Sequence, residues 1–172
     1  MLSPLLLPVV LPTREAATLR RATEGDLPAL MLLLSDDPIS AARGDQASEL
    51  DIEAYGAALT AILSDASNDL LVVVDETDVP FGTFQITRIP GMARQGSTRL
   101  LVEAVRVSTA RRSGGVGGAM MRWVTDTAAP ALGATLVQLT SDEARVDAHR
   151  FYERLGFVGS HRGFKFRVEP VD

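Results

Sequence analysis

The sequence predicts an α/β (α+β) domain, and three observations lead there. Short runs of aliphatic and β-branched residues alternate with segments of helical periodicity. Their order reads β-α-α-β-β-β-α-β-α-β-β. A crossover helix within that order makes at least one strand pair parallel. A length of 172 residues favours one domain, with an apolar arm over 1–14 and the domain proper over 15–172.

Each element has its own signal. Thr18–Ala22 reads as a strand; Thr23-Glu-Gly-Asp26 opens a helix with Pro28 in its first turn, stopped by Asp36-Asp-Pro38. After a polar loop, Asp51 caps a second helix that carries Ile52, Tyr55, Leu59 and Ile62 at helical spacing. Leu70–Val74 and Phe81–Ile89 are strands joined by a turn at Asp75–Asp78, and Pro90–Ser97 is a loop. Leu100–Val107 is another strand. It leads through the polar, glycine-rich Ser108–Gly118 into a helix with Val116, Met120, Trp123 and Val124 on one face, ended by Pro130 and Gly133. Thr135–Thr140 is a strand, Ala144–Leu155 a helix and Gly156 its stop. Phe157–His161 and Phe164–Val168 read as a closing hairpin around Gly163.

Composition narrows the function. The net charge is -5, which argues against phosphate-backbone binding, so nucleic acid is not an expected partner. With no cysteine, thiolate nucleophiles and cysteine-ligated zinc are excluded, and only His149 and His161 remain as imidazole donors, so no metal is expected. The lack of cysteine fits a reducing compartment, and a cytoplasmic location is the expectation. The opening Met1–Pro12 is apolar, but it lacks a basic flank, is too short to span a bilayer and is broken by Pro4, Pro8 and Pro12. It reads as an extended arm rather than a membrane anchor.

The informative stretch is Val105–Gly118, which runs strand, glycine-rich turn, helix. Such a junction aims several amides and the positive end of a helix dipole at one point, which suits a phosphate, and Arg112 could add a charged clamp. An ordinary tight turn is the competing reading. A P-loop is excluded because the single lysine is Lys165, and a dinucleotide fingerprint from Gly115 fails at Met120.

Arg112-Ser-Gly-Gly-Val-Gly117 resembles the Arg/Gln-x-x-Gly-x-Gly/Ala pyrophosphate loop of the GCN5-related N-acetyltransferases (GNAT). Val102–Val107 is similar to that family's pantetheine-pairing strand, Ala148–Phe157 to its Ala-x-x-x-Tyr-x-x-x-Gly-Phe helix and strand, and Leu19–Leu27 to its opening strand and helix. The resemblance spans about Thr18 to Val168. It departs at Arg145, where many relatives carry Asn. It implies a central mixed, mostly antiparallel sheet flanked by helices, with one parallel strand pair splayed around the cofactor. It also implies acetyl-coenzyme A as cosubstrate, bound by Val105, Arg106, Val107, Arg112, Ser113, Gly114, Gly115, Val116, Gly117 and Gly118.

The chemistry implied is acetylation of a primary amine, expected on a small molecule, by direct attack in a ternary complex. An alkylamine must lose a proton, and the departing thiolate must gain one. Glu103 is the candidate general base, acting through water. Simple alternation puts it on one face with Leu101, Val105 and Val107, though relatives often carry a bulge here that could re-aim it. The alternative is an exposed carboxylate or an ion pair with Arg99 or Arg106. The resemblance assigns Tyr152 the acid or sulfur-anchoring role; the alternative is a half-buried aromatic. His149 reads as a helix-surface or cofactor-edge residue. An acetyl-coenzyme A sensor without turnover is the rival function, and self-association through the arm or the C-terminal strands is a further expectation.

Overall fold

The computed structural model describes residues 2–168. In chain order its elements are β1 (Val9–Val10), β2 (Thr18–Arg21), α1 (Leu27–Ser35), α2 (Pro38–Ala41), α3 (Ile52–Ser64), β3 (Asn68–Val74), β4 (Pro80–Ile89), a short turn α4 (Ala93–Gly96), β5 (Thr98–Val107), α5 (Val116–Trp123), α6 (Ala129–Ala131), β6 (Ala134–Leu139) and α7 (Val146–Arg154). The chain divides into two compact units, Met1–Leu139 and Thr140–Asp172.

The first unit holds a six-stranded sheet in the order β1-β2-β3-β4-β5-β6. Every neighbouring pair is antiparallel except β5–β6, which is parallel. The crossover between them runs through α5, a π-helical turn at Val124–Ala128, and α6. This is the mixed, mostly antiparallel sheet with one parallel pair that the sequence implied. Among the described residues no helix is long and apolar enough to cross a membrane.

Residues opposite one another on antiparallel strands share a face, so register sorts the core into two layers. Leu71 faces Phe84 and Val73 faces Gly82 on the α5 side, where Phe84 meets Trp123 edge-on at 6.2 Å and Gly82 closes against Met120. On the other side Leu70, Val72 and Val74 pack with Ala22, Leu30 of α1 and Leu59 of α3. Phe84, Met120, Val72 and Val73 are fully buried; burial of side chains this size stabilises by roughly 1.5–3 kcal/mol each.

Three local readings are corrected. Pro130 does not end the helical run: it lies in the first turn of α6, where its missing N–H costs nothing, and the stop falls at Gly133 with φ +64°. The second helix is preceded by a 3-10 turn at Glu49–Asp51, and Ser48, not Asp51, supplies the capping oxygen, accepting from the Leu50 amide. The closing hairpin does not form. Residues 157–168 make no strand, and Phe164 and Phe166 are 89% and 90% exposed. Their apolar alternation has the period of a strand, but no second strand forms beside it within this unit among the described residues.

The N-terminal arm is tied down. Leu2, Leu5 and Leu11 are buried, and β1 pairs with β2. Buried Asp69 accepts from the Leu2 amide and from Arg21, whose guanidinium also donates to the Leu2 and Leu5 carbonyls.

Candidate active site

The site begins with a break in β5. Gln85 faces Glu103 and Thr83 faces Arg106, so one residue of β4 opposes two of β5. The extra residue makes a bulge at Ala104–Val105, with Ala104 at φ +50°, a conformation that costs an alanine roughly 1 kcal/mol or more. The bulge changes what alternation alone would give. Glu103 shares a face with Leu101, Gln85 and Arg106, on the side packed by α1 and α3. Val107, opposite Gly82, lies on the α5 side. The expected common face of Glu103 and Val107 is therefore overturned.

Glu103 is exposed and makes no hydrogen bond or ion pair among the described residues, so neither Arg99 nor Arg106 neutralises it. Arg106 is committed elsewhere: its guanidinium donates to the Val105 carbonyl and, at 2.5 Å, to Ser40 of α2.

The parallel rungs between β5 and β6 end at Val102↔Leu139, while β5 runs on through Val107. β6 itself ends at that rung, so the far end of β5, with Glu103 and the bulge, lies past it.

Beyond Val107 the chain turns through Thr109–Arg111, and Gly115 then caps α5. Ser113 and Gly115 have φ of +71° and +83°; for glycine that region carries no steric cost. The first helical bond runs from the Ala119 amide to the Gly115 carbonyl, so the amides of 116–118 find no acceptor within α5. The first amides of α5 and its positive end thus open onto this turn, an arrangement that fits a diphosphate.

The two adjacent arginines divide the work. Arg111 is held in place: it pairs with Glu15 at 2.5 Å and Asp75 at 3.4 Å, and its guanidinium lies 5.2 Å from the Phe81 ring centre. Arg112 donates through Nε to the Val107 carbonyl and has only a 3.9 Å approach to Asp36. Its guanidinium keeps donors for an anion at the turn.

Sequence reasoning missed Asp36. Its carboxylate accepts from the Thr109 amide at 2.7 Å and from the Thr109 hydroxyl at 2.5 Å. The Thr109 hydroxyl and amide, with a weaker pull from Arg112, hold the Asp36 carboxyl below the usual carboxylate range. The only sequence signal was Asp-Asp-Pro, which reads as a helix stop and names no distant partner.

In the second unit, Tyr152 sits on α7, its ring edge-on to Phe151 at 5.1 Å and to Phe157 at 5.8 Å. Its carbonyl accepts from the Leu155 and Phe157 amides, closing the helix ahead of Gly156. His149 lies 2.8 Å from the Asp142 carbonyl, a contact that fastens α7 to the segment before it.

The sequence matches the acetyltransferase (GNAT) family over residues 29–157. A transcriptional regulator from Bacillus halodurans C-125 is 37% identical, with a TM-score of 0.83, covering 88% of this chain and 99% of that one. A protein from Agrobacterium tumefaciens strain C58 described as an acetyltransferase is 28% identical, with a TM-score of 0.72, covering 87% of this chain and 99% of its own. The glucosamine-6-phosphate N-acetyltransferase of Arabidopsis thaliana shares the fold: 17% identity, a TM-score of 0.71, and coverage of 90% and 100%. No curated protein matches the sequence. The chain belongs to the GNAT family of acetyltransferases.

Proposed function

We propose that the chain transfers an acetyl group from acetyl-coenzyme A to a primary amine of a small molecule, by direct attack in a ternary complex. The observation that carries this reading is the junction on β5. A strand whose parallel pairing ends at Val102 bulges at Ala104 and leads into a turn beside Arg112, onto which the first amides of α5 open. The amides of 113–118 and Arg112 bind the pyrophosphate, and the backbone of Val105–Val107 pairs with the pantetheine arm. Bound acetyl-coenzyme A supplies the thioester carbon on which the amine acts.

Glu103 takes the amine's proton through a water molecule, and the bulge turns it onto a face apart from Val107. The new C–N bond forms as the C–S bond breaks, and the Tyr152 hydroxyl returns a proton to the departing sulfur. Calorimetry with acetyl-coenzyme A, followed by a coenzyme A-release assay across polyamines, amino acids, aminoglycosides and peptide N-termini, tests this. Absence of heat rejects the pyrophosphate loop, and heat without release from any amine rejects catalysis.

That last outcome is the second reading, an acetyl-coenzyme A sensor without turnover. It is favoured by one observation: the Bacillus halodurans protein 37% identical to this chain is described as a transcriptional regulator.

A further inference from the structure

On the α1 and α3 side of the sheet, register sets Asn68 opposite Thr87 and Leu70 opposite Gln85, and Gln85 in turn opposite Glu103. Gln85 is half-buried, and its orientation is fixed from a distance. Asp65 accepts from the Ser67 amide at 2.7 Å and from the Asn68 side-chain amide at 2.8 Å. These two donors hold the Asp65 carboxyl below the usual carboxylate range, so it stays an ionised acceptor. A carboxylate can only accept, so Asn68 must turn its NH2 toward Asp65 and offer its Oδ1 elsewhere. That oxygen accepts from the Thr87 hydroxyl at 2.6 Å and from Gln85 Nε2 at 2.8 Å. The Gln85 amide cannot flip without setting oxygen against oxygen. Its Oε1 is left with no donor among the described residues, on a side chain directly across from Glu103. Opposed residues of this kind have Cβ atoms about 4.5–5.5 Å apart, close enough for one small polar group to meet both. Thr87 alone already joins β4 to Asn68, so the strand pairing does not require the glutamine.

We propose that Gln85 selects primary over secondary amines, its Oε1 accepting from the N–H of the acceptor that survives the reaction. The inference rests on the acetyl-transfer reading above, with Glu103 as the base. A neutral primary amine carries two N–H bonds. As its lone pair forms the C–N bond and the C–S bond breaks, one N–H is lost. That proton passes through water to Glu103, and the sulfur leaves with the proton of the general acid. The other N–H persists in the product amide and needs an acceptor throughout. Gln85 supplies it, and in holding that hydrogen it aims the lone pair at the thioester carbon. An N-methyl amine has a single N–H, which the base removes, and it leaves Oε1 against a methyl group.

The test runs the coenzyme A-release assay on matched acceptors: putrescine and N,N′-dimethylputrescine, glycinamide and N-methylglycinamide, and the fastest amine of the wider screen with its N-methyl derivative. The wild type should favour the primary member by about 10-fold or more in kcat/KM. Gln85→Met keeps the side-chain length and removes the amide. It should lower kcat/KM for the primary amine about 10-fold, hold the N-methyl partner within about 2-fold, and leave the acetyl-coenzyme A KM unchanged. Thr87→Val, which removes the other tie to Asn68, should keep the wild-type preference. Proton–nitrogen correlation spectra of the coenzyme A-bound wild type cover the case in which Gln85→Met misfolds. The Gln85 side-chain amide should shift when a primary amine is added and stay in place with its N-methyl partner. Equal wild-type rates within each pair, equal losses for both members in Gln85→Met, or equal spectral shifts overturn this inference alone. A wild type that gives no heat with acetyl-coenzyme A, or acetylates no amine, defeats the acetyl-transfer reading and this inference with it.

Discussion

Asp36, at the end of α1, grips both the amide and the hydroxyl of Thr109, a residue 73 positions further along the chain. The first helix is thereby fastened to the start of the turn that leads into α5. Asp36→Asn keeps the shape but loses a charge-assisted acceptor. It should raise the acetyl-coenzyme A KM several-fold and leave the acceptor KM nearly unchanged. Because the folded carboxyl is held below its unfolded value, the contact contributes fully above the ordinary Asp range near about 3.9 and fades as pH falls through the folded value. The wild type should therefore keep its KM from neutral pH down to mildly acid conditions; a KM that already rises at pH 6 contradicts the assignment.

Glu103→Gln removes a proton acceptor without changing side-chain size. It should lower kcat/KM by about 10²-fold or more and flatten its alkaline rise. A variant that keeps the wild-type pH profile takes Glu103 out of the mechanism.

Tyr152→Phe deletes a hydroxyl while keeping the ring that meets Phe151 and Phe157. The kcat should drop by about 10²-fold and the acetyl-coenzyme A KM should barely move. Steady-state kinetics with the melting temperature as control decide this; a wild-type kcat refutes the role.

Gly115 has open space where a side chain would begin, so only its φ of +83° resists substitution. Gly115→Val should cost roughly 1–2 kcal/mol in stability and distort the turn that collects the amides. Differential scanning calorimetry should show the loss, and titration with acetyl-coenzyme A should show weakened binding.

Arg20 and Asp26 form an ion pair at 2.8 Å, with the Asp26 side chain only 7% exposed. Burial pushes the Asp26 carboxyl up, but hydrogen bonds from Arg20 and Thr23 outweigh it and hold the group low. A depressed carboxylate stabilises above its unfolded value and loses that contribution as pH falls through the folded one. Asp26→Ala, which leaves Arg20 with Asp78 as its remaining carboxylate partner, should cost about 1.5–3 kcal/mol at neutral pH. Urea denaturation should show that difference shrinking toward pH 3.

What could be read in the sequence follows from what is local. The glycine run, Arg112 and the helix after them declare a strand-turn-helix junction because turn chemistry depends on neighbours in the chain. The bulge at Ala104 was invisible to alternation, since it exists only in the register between β4 and β5. Asp36 was missed for the same reason, as its partner is remote in sequence. Phe164–Val168 misled in a different way: alternation identifies a segment that suits a sheet without saying which edge receives it.

The extra residue at Ala104 also constrains how this chain can vary. Losing one codon there would restore regular pleating with Glu103 still opposite Gln85 and Val107 still opposite Gly82, but the kink of the backbone at Ala104 would straighten. Surface loops elsewhere, such as the one before α3, can lengthen or shrink with little consequence. Between Val102 and Arg106, chain length itself is the inherited property, whichever side chains occupy the positions.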